Sequence, residues 1–238
     1  MQKIFLTAEW KKLIMANYVV NPAILKSYVP QGTELDSWEG KTFVSMVGFM
    51  FLKTKVLGIP IPFHRDFEEV NLRFYVRYND DGEWKRGVVF IKEIVPKSAI
   101  AFVANTLYGE NYQSLAMKNE LSKEGNFQKV SYSWKFQNDW NFLKVKAETK
   151  TQKIVEGSEA EFITEHYWGY TSGKHQNTLE YQVEHPRWNI FPVNDFEMNC
   201  NVSELYGKPF EEFLTIEPHS IFMAEGSEII VRKGRKLS

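Results

Sequence analysis

The segment from His64 to Met117, HRDFEEVNLRFYVRYNDDGEWKRGVVFIKEIVPKSAIAFVANTLYGENYQSLAM, decides how this chain reads. Within it, apolar Leu72, Phe74, Val76 and Tyr78 alternate with Asn71, Arg73, Tyr75 and Arg77. A period of two marks a β-strand with unlike faces. Carrying the parity backward puts Glu69 on the polar side, with Asn71, Arg73 and Tyr75. Two readings of that face stand. It is the solvated side of a half-buried antiparallel strand, or it lines the inside of a barrel, where a few polar groups orient a small ligand. The next run, KRGVVFIKEI, is apolar on both parities, as expected of a strand covered on both faces. Its β-branched content and the following Pro96 favour strand over helix. Ser98 then stands at an N-cap position, Ile100, Val103, Ala104 and Leu107 follow at helical spacing, and Gly109 is a stop. The spacing predicts a helix over 98–108 that lays one apolar stripe on the sheet.

Outward from this segment the chain is mostly short strands. LIMANYVV (13–20) is a first strand, Asn21-Pro22 starts a helix that Pro30 ends, and TFVSMVGFMFLKTKVL is a long central strand. GIPIPF is a proline-propped loop just before His64; such loops form pocket rims, which makes His64 a candidate ligand contact. Downstream, KVSYSWKF and NFLKVKAETK alternate around a QNDW hairpin connection, with Val130, Tyr132, Trp134, Phe136, Leu143, Val145 and Ala147 inward. EFITEHYWGYT and TLEYQVEH are read as the next strand pair, YGKPFEEFL as a short helix, and SIFMAEGSEIIV as a closing hairpin-like pair. No repeat, linker or low-complexity stretch breaks residues 1–238 into parts, so one domain is expected.

Composition narrows the function. The chain has 238 residues, 43% hydrophobic and 15% aromatic, enough for a sizeable core. A net charge of −1 argues against general affinity for nucleic acid or acidic membranes. Cys200 is the single cysteine, which excludes an intrachain disulfide and fits a reducing compartment. The first residues do not read as a signal peptide and no apolar run reaches spanning length, so a cytoplasmic protein is expected. His166 and His185 share the faces of neighbouring predicted strands, but no HxH, HExxH or CxxC spacing accompanies them, so packing among aromatics outweighs a metal site. There is no GxSxG elbow and no glycine-rich phosphate loop, and no cofactor is expected. His166 is kept as a candidate ligand contact.

FEEVNLRFYV, RGVVFIKEIVP, NTLYGENYQSLAM, EFITEHYWGYT, EYQVEHPRW and AEGS, in one order over nearly the whole chain, resemble the YqjF-like family of bacterial proteins of unknown function. That family in turn is similar in fold to acetoacetate decarboxylase. The resemblance implies a mainly β (α+β) fold: a single cone-like antiparallel β-barrel with two or three short helices and a small-molecule cavity. In the decarboxylases a lysine after a Trp-Gly-x-Pro turn, with a second lysine beside it, attacks a ketone to form a Schiff base, helped by a lowered pKa. Here Tyr108-Gly109-Glu110-Asn111 occupies the turn, and the two lysine positions fall on Tyr112 and Gln113. Neither is an amine. Glu69 falls about where that family keeps an acidic cavity residue, so the resemblance implies a pocket that persists without its nucleophile.

Two functions follow. The first is a barrel that binds a small anionic or carbonyl-bearing molecule through Arg73, Asn71, Tyr75, His64, Tyr108 and His166. The second is an enzyme acting on such a molecule by acid–base chemistry, with Glu69 and Tyr112 as the catalytic pair and no imine. Either way the expected partner is a small molecule, with no nucleic acid and no membrane; a homo-oligomer is left open. Arg73 is expected to point into the cavity and to pair with Glu69, since a buried guanidinium is costly unless paired.

Overall fold

The computed structural model describes residues 2–107, 109–172 and 177–237. The chain opens with three long strands, β1 (Ile4–Val19), β2 (Phe43–Val56) and β3 (Phe67–Asp80), followed by β4 (Glu83–Val95) and helix α1 (Ser98–Leu107). A meander follows: β5 (Met117–Glu124), β6 (Phe127–Phe136) and β7 (Asp139–Glu148). After α2 (Glu159–Thr164) come β8 (Trp168–Ser172), β9 (Thr178–Glu184) and β10 (Val193–Asn199). Helices α3 (Val202–Tyr206) and α4 (Lys208–Leu214) precede β11 (Ser220–Ala224) and β12 (Glu228–Arg232). Among the described residues, no helix is long and apolar enough to cross a membrane.

Seven strands close a barrel in the order β1-β2-β3-β4-β8-β9-β12, with β12 returning to β1. Every seam is antiparallel except β4–β8, where Trp168 lies opposite Gly87 and Gly169 opposite Val88 in parallel. Strands β10, β7, β6 and β5 form a second antiparallel sheet outside the barrel. The apolar face of β3 is buried beneath it: Leu72, Phe74 and Val76 share one core with Tyr132, Trp134, Leu143 and Val145, and with Phe210 of α4. Each large side chain so buried contributes about 1.5–3 kcal/mol. Since that face looks outward, the Glu69–Asn71–Arg73 face looks into the lumen. A separate core of lumenal apolar residues, including Leu13, Phe49, Phe51, Phe67 and Phe162, packs inside the barrel.

Several expectations are corrected. The described residues form four short α-helices rather than two or three, and Asn21-Pro22 starts only a 3₁₀ turn, Pro22–Leu25. The outer face of β3 is taken by the second sheet, and Ala99 and Ile100 of the first turn of α1 line the lumen. Val103, Ala104 and Leu107, expected in its stripe, lie with Tyr108 outside the described side chains. EFIT is the helix α2, not strand, because Ser158 Oγ caps Glu161 N at 3.3 Å while the Glu161 carboxylate accepts from Gly157 N at 2.6 Å. His166 and His185 accordingly sit in connections beside β8 and β9 rather than on strands.

Strands β11 and β12 do not pair with each other as a hairpin. They run end to end along the same edge of β1, β11 on Leu13–Asn17 and β12 on Ile4–Glu9. The break between them faces a bulge at Lys12, whose φ is 56°. Gly226 fits there because its φ is +74° and a Cβ would stand 2.0 Å from the Trp10 carbonyl oxygen. The carbonyl that the bulge frees, that of Lys12, accepts the Tyr132 hydroxyl of the second sheet at 2.9 Å.

Candidate functional site

The lumen holds a cavity of about 370 Å³. Its wall is largely apolar, with Trp10, Phe49, Phe51, Phe90, Trp168 and Trp188, and carries a small set of polar groups at two places. Glu69, Asn71 and Arg73 of β3, Tyr112, His64 and His166 all line it. Tyr75 does not. It is fully buried behind the wall, with its hydroxyl 2.6 Å from Ser45 Oγ and its ring 4.6 Å from that of His166. Tyr108 lies outside the described residues.

The first polar group is acidic. Glu69, 2% exposed, accepts from Asn71 Nδ2 at 2.9 Å and from the Tyr112 hydroxyl at 3.1 Å. Burial raises its pKa to about 7, against the opposing pull of these hydrogen bonds and of the Arg73 charge. Glu93, also 2% exposed, has one carboxyl oxygen without a hydrogen-bond partner. Burial first, then the charges of Glu110 and Glu69, push it well above the carboxylate range. Glu110 accepts the Tyr181 hydroxyl at 2.9 Å, and burial raises it to about 8. Tyr112 and Tyr181 are raised by burial and stay protonated. At neutral pH this corner therefore offers acidic protons rather than three full charges.

Glu93, Glu110 and Tyr181 escaped the sequence reading. In β4 an extra residue at Ile91 shifts the register, since Leu72 pairs with Lys92 while Arg73 pairs with Phe90. Phe90 and Glu93, three apart, thus both face the lumen, whereas parity alone sets them on opposite faces. The apolar run on both parities is the trace of this bulge. Glu110 sits in an irregular turn with no period to read. Tyr181 lies over Gly169 of β8, where a Cβ would stand 2.1 Å from its ring.

The second polar group surrounds Arg73. The expected Glu69–Arg73 pair does not form: four residues of strand separate their Cα atoms by about 13 Å, and Asn71 between them takes Glu69. The Arg73 guanidinium instead donates to the Ile163 carbonyl at 3.5 Å and lies 5.7 Å from the Tyr75 ring centroid; its Nε is buried without a partner. His166 sits 3.4 Å from Asp36, whose carboxylate Arg86 also holds at 2.7 Å. Burial pulls His166 down to about 4, so it is neutral at pH 7. His185, stacked on Trp188 at 4.1 Å, is likewise lowered to about 4 by burial. His64 at the rim has Nδ1 2.8 Å from the Pro62 carbonyl.

Among the described residues, no lysine lines the cavity and no group of three or more His, Cys, Asp or Glu is placed to hold a metal ion. Tyr112 opens a short strand, Tyr112–Ser114, that pairs in parallel with the end of β4. Its hydroxyl reaches the cavity where, by the resemblance, an amine would stand.

Comparison with known proteins agrees with this architecture. The chain is similar in fold to the crystal structure of acetoacetate decarboxylase from Legionella pneumophila (TM-score 0.66, 13% identity, covering 98% of this chain and 87% of that one). It is equally similar to the enduracididine biosynthesis enzyme MppR complexed with pyruvate (TM-score 0.69, 11% identity, covering 100% and 92%). In sequence it is 29% identical over 207 residues to the uncharacterized protein YqjF of Bacillus subtilis, covering 83% of this chain and 80% of that protein. A family model described as an uncharacterized conserved protein matches residues 7–228, and the chain belongs to that family, DUF2071.

Proposed function

We propose that the barrel lumen binds a small molecule with an apolar body and a carboxylate or carbonyl end held by Arg73. The observation that carries this reading is Arg73 itself: a guanidinium directed into a mostly apolar cavity, without a carboxylate partner and with Nε unpaired. A planar fork with spare donors suits a bidentate anion or a carbonyl. The aromatic wall supplies the apolar contacts that small-molecule sites use. That MppR, with the same fold, has been solved with pyruvate, a keto acid, supports a ligand of this kind. A second reading, an acid–base enzyme, is favoured by Glu69. Its pKa of about 7 and its hydrogen bond to Tyr112 suit a group that takes and returns a proton at neutral pH.

The test is thermal unfolding with pyruvate and with 3-phenylpropanoate. Both should raise the melting temperature of the wild type, Arg73→Ala should abolish the rise, and Arg73→Lys should restore little of it. An unchanged rise in Arg73→Ala would remove the basis of the proposal. For the second reading, pyruvate methyl exchange in D₂O, followed by NMR, should depend on Glu69 and vanish in Glu69→Gln.

A further inference from the structure

We infer that the Glu69–Glu93–Glu110 corner of the lumen is a subsite for the protonated amine end of an organic ligand. The inference deepens the proposal above and rests on it, since it requires the lumen to be a ligand site. Three carboxyl groups from separate pieces of chain, β3, β4 and the turn after α1, line one cavity. Among the described residues, none of the three is in a salt bridge; Arg73 acts on Glu69 only at a distance. A buried carboxyl without a counter-cation keeps its proton, and a cation placed beside it lets it ionise in a pair.

The existing donors do not saturate the cluster. Asn71 serves Glu69, Tyr112 stands between Glu69 and Glu93, and Tyr181 serves Glu110, yet one oxygen of Glu93, a residue 2% exposed, is left without a donor. An ammonium carries three donors and one positive charge, so it can meet that oxygen and its neighbours together. Tyr112 and Tyr181, whose hydroxyls reach Glu69 and Glu110, and Phe90 line the same cavity. The charge balances: as the ammonium enters, one cluster carboxyl gives its proton to solvent and becomes the carboxylate of the new pair. With Arg73 at the other polar place, the cavity fits a ligand that is cationic at one end and carboxylate or carbonyl at the other.

The experiment is calorimetric titration of the full chain with phenethylamine, with its neutral analogue 2-phenylethanol, and with 3-phenylpropanoate. The amine should bind at least about tenfold tighter than the alcohol. Repeating the titration in buffers of different ionisation heat should reveal proton release with the amine alone. Glu93→Gln and Glu110→Gln keep the shape of the side chains they replace. Each should weaken the amine about tenfold and leave 3-phenylpropanoate unchanged. The wild-type comparison needs no variant, so a folding defect does not shield the inference. Equal affinity for amine and alcohol, or variants that lose neither, overturns it. If 3-phenylpropanoate binds through Arg73 and the amine does not, this inference alone fails. If neither ligand binds, the reading of the lumen as a site fails with it.

Discussion

At the positions where the resemblance to the decarboxylases would put a Schiff-base lysine, Tyr112 carries a phenol and Gln113 an amide, and neither can form an imine. Lys92, Lys97 and Lys118 are nearby in sequence, but none lines the cavity, and Lys118 lies over Trp140 of the second sheet. Incubation with acetoacetate and borohydride should therefore leave the intact mass unchanged; a stable adduct mapped to any lysine would refute this. The polar residues of β3 were legible because an unbroken strand keeps its parity: Glu69, Asn71 and Arg73 follow the alternation straight into the lumen. Tyr75 shares the parity yet is screened from the cavity by His166 and Phe162, a matter of depth that parity does not carry. Glu93 was hidden by one inserted residue, and Glu110 by a turn. The site was thus half legible. The missed half lies where backbone regularity breaks.

Among the elements, long strands were legible and short helices were not. β3, β4, β6 and β7 fall where alternation or β-branched runs place them, within a few residues. Helix α2 is six residues long, too short for periodicity, and its aromatic and β-branched residues imitate strand. Its local signature, Ser158 followed three residues later by Glu161, was nevertheless present. The cap matters to the site, because α2 carries Phe162, whose ring meets His166 edge-on, and Ile163, whose carbonyl accepts from Arg73. Ser158→Ala should cost about 1 kcal/mol in urea unfolding, and it should weaken any Arg73-dependent ligand shift more than an exposed-loop substitution such as Glu156→Ala. Equal effects from the two would mean that α2 does not position the site.

For the molecule as a whole, one barrel with a lumenal cavity was legible from the many short strands and the resemblance. The covering of its outer face was not, because two alternating strands look the same whether they join the barrel or lie across it. Burying polar groups inside that barrel also sets how stability depends on pH. His166 and His185, lowered from 6.5 to about 4, support the fold above pH 6.5, and that support is lost as pH falls toward 4. Asp36, which burial would raise, is held below its ordinary value by the neighbouring His166 and by the hydrogen-bonded Arg86, and adds to the loss at low pH. The carboxyls act in the opposite sense. Glu69 and Glu110 are raised from 4.5 to about 7 and about 8, and Glu93 is raised as well. Their contribution is full below pH 4.5 and is lost as pH rises through the folded-state values. From pH 6.5 to about 7.5 the unfolded histidines lose their remaining protons, a smaller opposing effect, and toward pH 8.5 Cys200, raised by burial to about 12, acts in the same sense as the carboxyls. On balance the folded protein holds more protons than the unfolded chain, and stability is expected to fall with pH, by at most about 1.4 kcal/mol per pH unit for each carboxyl. Urea unfolding at pH 6.5, 7.5 and 8.5 should show a steady decline, and Glu93→Gln, which removes one of the titrating groups, should flatten it. A protein whose stability rises over that range, or a variant that keeps the full slope, would show that these carboxyls are already ionised in the folded state.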